Sequence, residues 1–246
     1  MALTRSIAAC SLALLALSAG CGGSGADSVG TGSSSPTPTD NGVAALPATQ
    51  ILSRAQTALK SAPSVHLKGS AVDEGARLRI DLRASDKGGR ATITQGAQTF
   101  EVLRIGTTVY IKADADFWRT QTRNAAAAEL LKGKYLKGST SDAKLASIAE
   151  LTDVDKFAAA LLKPNGAVRK GQRTTIRGTQ AVALDVSGQD GGQLYVATRG
   201  QPYPLQITST SASEPGRIDF LDYGAPVTLT PPPAEQVVDT AKLNGG

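Results

Sequence analysis

RLRIDLRASDKGGRATITQGAQTFEVLRIGTTVYIKA, residues 77–113, is the stretch whose period decides the fold. Leu78, Ile80, Leu82 and Ala84 alternate with Arg77, Arg79, Asp81 and Arg83. That period of two gives a strand one apolar face and one wet face. Lys87-Gly88-Gly89, Gly96-Ala97 and Gly106-Thr107 are short turns, and between them 91–95, 98–105 and 108–113 read as further strands. Upstream, Val65, Leu67, Gly69 and Ala71 alternate with polar residues before a turn at Asp73-Glu74-Gly75. Five strands joined by short turns make an antiparallel meander.

Ahead of the meander, residues 47–61 carry Ile51, Leu52, Ala55 and Leu59 on one stripe, which predicts a helix that Pro63 stops. After the meander, Asn124 is placed to cap a helix beginning AAAAELLKGKY. A second helix is expected over 142–150. Thr152 is expected to cap a third, with Asp153 and Asp155 in its first turn, where negative charge suits the helix dipole. Phe157, Leu161 and Leu162 form its apolar side, and Pro164-Asn165-Gly166 ends it. Period two then returns, predicting strands at 168–176, 179–187, 193–198, 205–211, 217–222 and 227–230, with 234–243 a short helix or a frayed tail. Runs of strands and runs of helices, without strict alternation, predict an α+β fold with an antiparallel sheet. About 10–11 twisted strands curl rather than stay flat. The expected architecture is a curled antiparallel half-barrel sheet with helices covering its concave face.

The N-terminus reads as an address. Arg5 precedes SIAACSLALLAL (6–17), an apolar run too short to cross roughly 30 Å of hydrocarbon and suited to a signal-peptide h-region. Leu17-Ser18-Ala19-Gly20-Cys21 resembles the lipobox of bacterial lipoproteins, in which small residues precede a Cys that is acylated and becomes the first residue of the mature chain. The alternative is an ordinary secretory signal with a chance Cys. From Gly22 to Gly42, sixteen of 21 residues are Gly, Ser, Thr or Pro, a composition that cannot offset its ordering entropy. The expected organisation is a lipoprotein signal peptide over 1–20, lipidated Cys21 and a flexible linker over 21–45, and one folded domain over 46–246. The membrane is then a partner through Cys21, and the location is the cell membrane, lipid-anchored, on its extracytoplasmic side. Nucleic acid is set aside as a partner by that compartment.

Composition narrows the chemistry. The chain has 26 Lys+Arg, 21 Asp+Glu, one His and two Cys. Cys10 leaves with the signal and Cys21 is the acyl acceptor, so no disulfide, thiol or Cys-ligated zinc chemistry is expected in the domain. Four Phe, five Tyr and one Trp make a lean core. His66 faces away from Val65 and Leu67 and reads as structural or exposed. A Ser-His-Asp triad would need it, and no Gly-x-Ser-x-Gly elbow is present. GKYLKGST, residues 133–140, lacks the Lys of a phosphate loop. Asp114 and Asp116 read as a solvated turn, since the rest of a calcium loop is missing. No enzyme activity, metal or cofactor is expected.

Four segments carry a family likeness: ILSRAQTALKSAPSVHLKG (51–69), TTVYIKADADFWRT (107–120), YVATRGQPYPLQI (195–207) and IDFLDYGAPVTLTPP (218–232). With the Cys21 anchor, this layout resembles the LolA-like superfamily, and within it the LppX/LprG-type lipoproteins of actinobacteria. The resemblance implies a half-barrel enclosing a hydrophobic cavity, a lipid or glycolipid ligand held by its acyl chains, and a role as carrier or chaperone in the cell envelope. The expected cavity residues are Leu67, Leu78, Ile80, Leu82, Ile93, Phe100, Val102, Val109, Ile111, Phe117, Trp118, Leu130, Phe157 and Leu161. From the residues alone, the same apolar faces equally suit a solid core. The alternative function is then a non-enzymatic interaction or sensor module with an envelope protein partner. Between Lys156 and Leu184 the chain holds six basic residues and no acidic one. Lys163, Arg169, Lys170, Arg173 and Arg177 are therefore expected to face anionic headgroups, or to form a solvated face.

Overall fold

The computed structural model describes residues 39–73, 76–122, 125–188, 191–209, 211 and 215–240. The expected signal peptide, Cys21 and most of the linker lie outside these residues. Packed structure begins earlier than the expected boundary at 46. Asn41 Nδ2 donates to the carbonyls of Ala197 (3.0 Å) and Gly200 (3.1 Å), and Val43 is 2% exposed in the core. These bonds and that side chain tie the end of the linker to the domain.

Helix α1 (Ala48–Lys60) buries Ile51, Ala55, Ala58 and Leu59, one stripe at i, i+4, i+7 and i+8. The meander follows as β1 (Ser64–Asp73), β2 (Ala76–Ser85), β3 (Gly88–Gln95), β4 (Gln98–Ile105) and β5 (Thr108–Ala113). Helices α2 (Ala115–Thr122) and α3 (Ala125–Leu131), strand β6 (Tyr135–Ser139), and helices α4 (Ala143–Glu150) and α5 (Val154–Leu161) form the middle. The second run is β7 (Val168–Ile176), β8 (Thr179–Val186), β9 (Gly192–Ala197), β10 (Pro204–Ser209) and β11 (Arg217–Leu221), and β12 (Val237–Asp239) ends it. The sheet has twelve strands in the order β12-β6-β5-β4-β3-β2-β1-β11-β10-β9-β8-β7. All pairs are antiparallel except β12 on β6. The terminal strands do not meet, so this is an open, curled sheet of the expected α+β class.

Four sequence expectations need correcting. Asp114 and Asp116 do not form a solvated turn but begin α2: Asp114 Oδ1 accepts the Phe117 N–H at 2.7 Å, an N-cap bond that orders the turn as helix. The helix beginning AAAAELLKGKY stops at Leu131. Gly133 takes φ +71°, and Tyr135–Ser139 becomes a strand against β5. Asp153, not Thr152, caps α5, accepting the Lys156 N–H at 3.1 Å. Residues 227–230 form no strand, and pairing passes instead to β12 in the tail.

Two apolar rows cross the concave face. In one, Phe220, Leu67, Leu82, Ala91, Val102, Ile111, Leu136 and Val238 are successive cross-strand partners. In the other, Leu184, Leu194, Ile207, Ile218, Gly69, Ile80, Ile93 and Phe100 are. Ile51 and Leu59 of α1, Phe117 and Trp118 of α2, Leu131 of α3 and Leu145 of α4 pack on this surface as one core. At one end of the sheet Arg104 faces inward opposite Gly89. It donates to the Thr152 hydroxyl (3.2 Å) and carbonyl (3.0 Å), and the hydroxyl donates to Ala149 O at 2.8 Å. Fully buried Thr152, and with it the α4–α5 junction, is thereby pinned to β4.

Candidate functional site

A third cross-strand row, at the end of the sheet nearest α5, is different. Val186 pairs with Gly192, and Gly192 with Ser209. The Ser209 N–H donates to Gly216 O, and Gly216 lies against Ala71. These residues are small, so the sheet floor is shallow where the neighbouring rows are filled. Above it stand Leu52 of α1 and Leu161 of α5 with Leu162 just beyond. Together with Leu194, Ile207 and Ile218 they wall a cleft of about 290 Å³. Gly192 is obligatory on packing grounds: a Cβ there would lie 2.4 Å from Thr208 O. Lys163, Asn165 and Arg217 border the cleft. The site is therefore an apolar slot with polar and cationic borders, near the lower end of the roughly 300–1,000 Å³ range of small-molecule pockets. Its chemistry is burial of an apolar segment, with charge available to a head group.

The expected cavity residues divide sharply. Leu67, Leu82, Ile93, Val102, Val109, Ile111, Phe117 and Trp118 are all buried in the core beneath the helices. Phe117 stacks on Phe100 at 5.2 Å, and Trp118 meets Phe117 edge-on at 5.3 Å. These aromatics pack against one another over the first half of the concave face. Leu78, Ile80 and Phe100 are half-buried against the same core. Leu130 is 44% exposed on the outer side of α3. Phe157 lies on α5, with its side chain outside the described residues. Among the members whose side chains are described, Leu161 alone borders the cleft. None of the small residues of the third row was among the expected cavity residues. The signal was there, in Gly192, Ser209 and Gly216 at the ends of three strands.

The basic residues divide as well. Lys163 borders the cleft and Arg169 is exposed on β7. Lys170 Nζ instead donates to the carbonyls of Ala44 (3.3 Å) and Leu46 (3.2 Å), and Arg173 stands 4.0 Å from the Asp40 carboxylate. Arg177 occupies the β7–β8 turn with φ +47°. There it curls back onto the Asp219 carboxylate and the carbonyls of Leu205 and Phe220, both at 2.9 Å. Each of these three exposed residues has a partner within the domain.

The convex face is wet and charged. His66, 5% exposed, sits between Asp81 (Nε2 to Oδ1, 2.9 Å) and Asp222 (Nδ1 to Oδ2, 2.9 Å), which makes it structural. Burial alone would raise the Asp81 carboxyl. Bonds from Lys68 and His66, with their charges, outweigh it and hold Asp81 below the ordinary value. Asp219 is likewise held low: burial opposes, while Arg217, Gln206 and Arg177 prevail. Among the described residues no cluster of three or more His, Cys, Asp or Glu is placed to hold a metal, and no helix is long and apolar enough to cross a membrane.

No family model matches the chain, and no curated protein does. Solved structures do. LprF from Mycobacterium bovis is 17% identical, with 75% of this chain and 96% of LprF covered and a TM-score of 0.49. Lipoprotein LppX from Mycobacterium tuberculosis is 14% identical, with 78% and 100% covered and a TM-score of 0.46. A LolA superfamily protein from Nitrosomonas europaea is 12% identical, with 77% and 96% covered and a TM-score of 0.26. At these identities the likeness is one of fold alone.

Proposed function

We propose that this chain is an envelope lipoprotein, held at the membrane through acylated Cys21, whose domain shelters the apolar chain of a lipid ligand in the cleft between α1, α5 and strands β8 to β11. The observation that carries the reading is the cleft itself: about 290 Å³, walled by Leu52, Leu161, Leu162, Leu194, Ile207 and Ile218 over a floor of small residues. Affinity comes from burying methylenes at about 0.8 kcal/mol each, with Lys163 and Arg217 at the border offering charge to a head group. The cleft admits one short chain or part of a longer one. A ligand with several acyl chains needs α5 to move away from the sheet.

Native mass spectrometry of the Cys21→Ser form, secreted by a natural host, tests this. A ligand-bound mass that collapses to apo under mild organic extraction supports the reading, and only apo protein from that host counts against it. The second reading is an interaction module for an envelope protein. The solid packing beneath α2, α3 and α4 favours it, and it predicts co-purification of a protein with no extractable lipid.

A further inference from the structure

We propose that the convex face of the sheet carries a second site, a groove that takes the oxyanion of a phosphoryl group between Arg79 and Arg217, over Ser70. The groove, about 440 Å³ and shallow, crosses β3, β2, β1 and β11. Its floor is a row of register partners: Thr94 opposite Arg79, Arg79 opposite Ser70, and Ser70 opposite Arg217. Strands lie about 4.8 Å apart, so the two arginines start roughly 10 Å from one another with Ser70 between them. The planar fork of Arg79 suits a tetrahedral oxyanion, and Arg217, whose Nε and Nη2 hold Asp219, adds its remaining N–H donors.

The charge in the neighbouring row explains why the occupant is an anion. That row holds Thr92, Asp81, Lys68 and Asp219. Its two carboxylates are already saturated. Asp81 accepts from His66 (2.9 Å), Arg83 (3.1 Å) and Lys68 (3.2 Å). Asp219 accepts from Gln206 (2.7 Å), Arg217 (3.0 Å) and Arg177. Arg79 has no carboxylate or carbonyl partner among the described residues, and it is exposed. With the hydroxyls of Ser70, Thr92 and Thr94, Arg79 gives the groove donors that the two carboxylates do not take up. The phosphoryl group has two possible sources, a phospholipid head group or a soluble phosphate.

The test uses the purified protein with two probes: inorganic phosphate, followed by amide NMR shifts, and vesicles of phosphatidylcholine with or without phosphatidylglycerol, followed by co-sedimentation. Arg79→Gln is expected to weaken binding of the effective probe about tenfold (about 1.4 kcal/mol), and Arg79→Lys by less. Arg90→Gln, exposed on the same face but outside the groove, is expected to change it less than about twofold. Shifts with free phosphate that cluster at Ser70, Arg79 and Arg217 identify a soluble source. Sedimentation that needs both phosphatidylglycerol and Arg79, without binding of free phosphate, identifies a head group. Binding of neither probe, or equal losses from Arg79→Gln and Arg90→Gln, overturns the proposal. Both substitutions are on the surface, and an unchanged circular dichroism spectrum verifies the fold. The outcome is independent of lipid occupancy in the cleft.

Discussion

Lengthening a saturated fatty acid one methylene at a time probes the cleft most directly. Its volume of about 290 Å³ is about ten water-sized volumes at roughly 30 Å³ each, hence room for about ten methylenes. At about 0.8 kcal/mol apiece these supply about 8 kcal/mol, against association costs of at least about 4 kcal/mol. The remaining ~4 kcal/mol corresponds to a roughly millimolar dissociation constant. Each methylene added before the cleft is full tightens binding about fourfold. Calorimetry on the unacylated protein is therefore expected to show affinity climbing to about ten carbons and then levelling. Leu161→Trp puts an indole into the wall and displaces two or three methylenes. Decanoate binding then weakens by about 2 kcal/mol, roughly thirtyfold, and the plateau moves to shorter chains. An unbroken climb well beyond ten carbons, or decanoate affinity indifferent to Leu161→Trp, refutes the cleft as the binding site.

Other outcomes follow from the fold. Arg104→Met leaves the buried Thr152 groups without their donor and is expected to cost about 1–3 kcal/mol in urea unfolding; no loss would mean that the α4–α5 junction is held by other contacts. Gly69→Ala puts a Cβ 2.0 Å from Arg217 O, so β1 and β11 must part. A loss of about 3 kcal/mol is expected, and a thermal midpoint unchanged within a degree or so would contradict the register. Asp81 and Asp219 both have lowered folded-state values, so the stability they confer is present above the unfolded carboxylate value near 3.9 and is lost as pH falls through the folded values. Acid unfolding below about pH 4 should therefore be steeper in the wild type than in Asp81→Asn/Asp219→Asn. Parallel curves would show that other groups dominate.

Period-two alternation was enough to read β1 to β5 and β7 to β11, most plainly in β2, β3 and β4, where covered and exposed positions alternate. It failed where one local cue masked another. The Asp114–Phe117 turn resembles a loop in sequence, and only the N-cap bond makes it a helix. The alanines and leucines of α3 make a strong helical run in which Gly133 is the one cue to a stop, and the five-residue strand after it is too short to show its period. Three-residue β12 has too little pattern to find, and its pairing with β6 depends on contacts about 100 residues apart. The site was harder still. Alternation says which side chains face inward but not which of them a helix covers. Phe100, Phe117 and Trp118, expected as cavity residues, pack with one another as a single aromatic cluster. The cleft comes from what is missing, the side chains of Gly192 and Gly216, and a search for large apolar residues passes over it.

Strand β9 has one end at the cleft and the other at the linker. Gly192 lies in the cleft floor, while just past Ala197 the chain meets the incoming N-terminal segment, with Asp40 bridged to Arg199 and the Gly200 N–H donating to Thr39 O at 3.0 Å. At about 3.3 Å per residue these points are roughly 20 Å apart. Changes at Asp40 or Asn41 therefore loosen the entry of the chain without reaching the cleft, and the two ends of β9 can be altered separately.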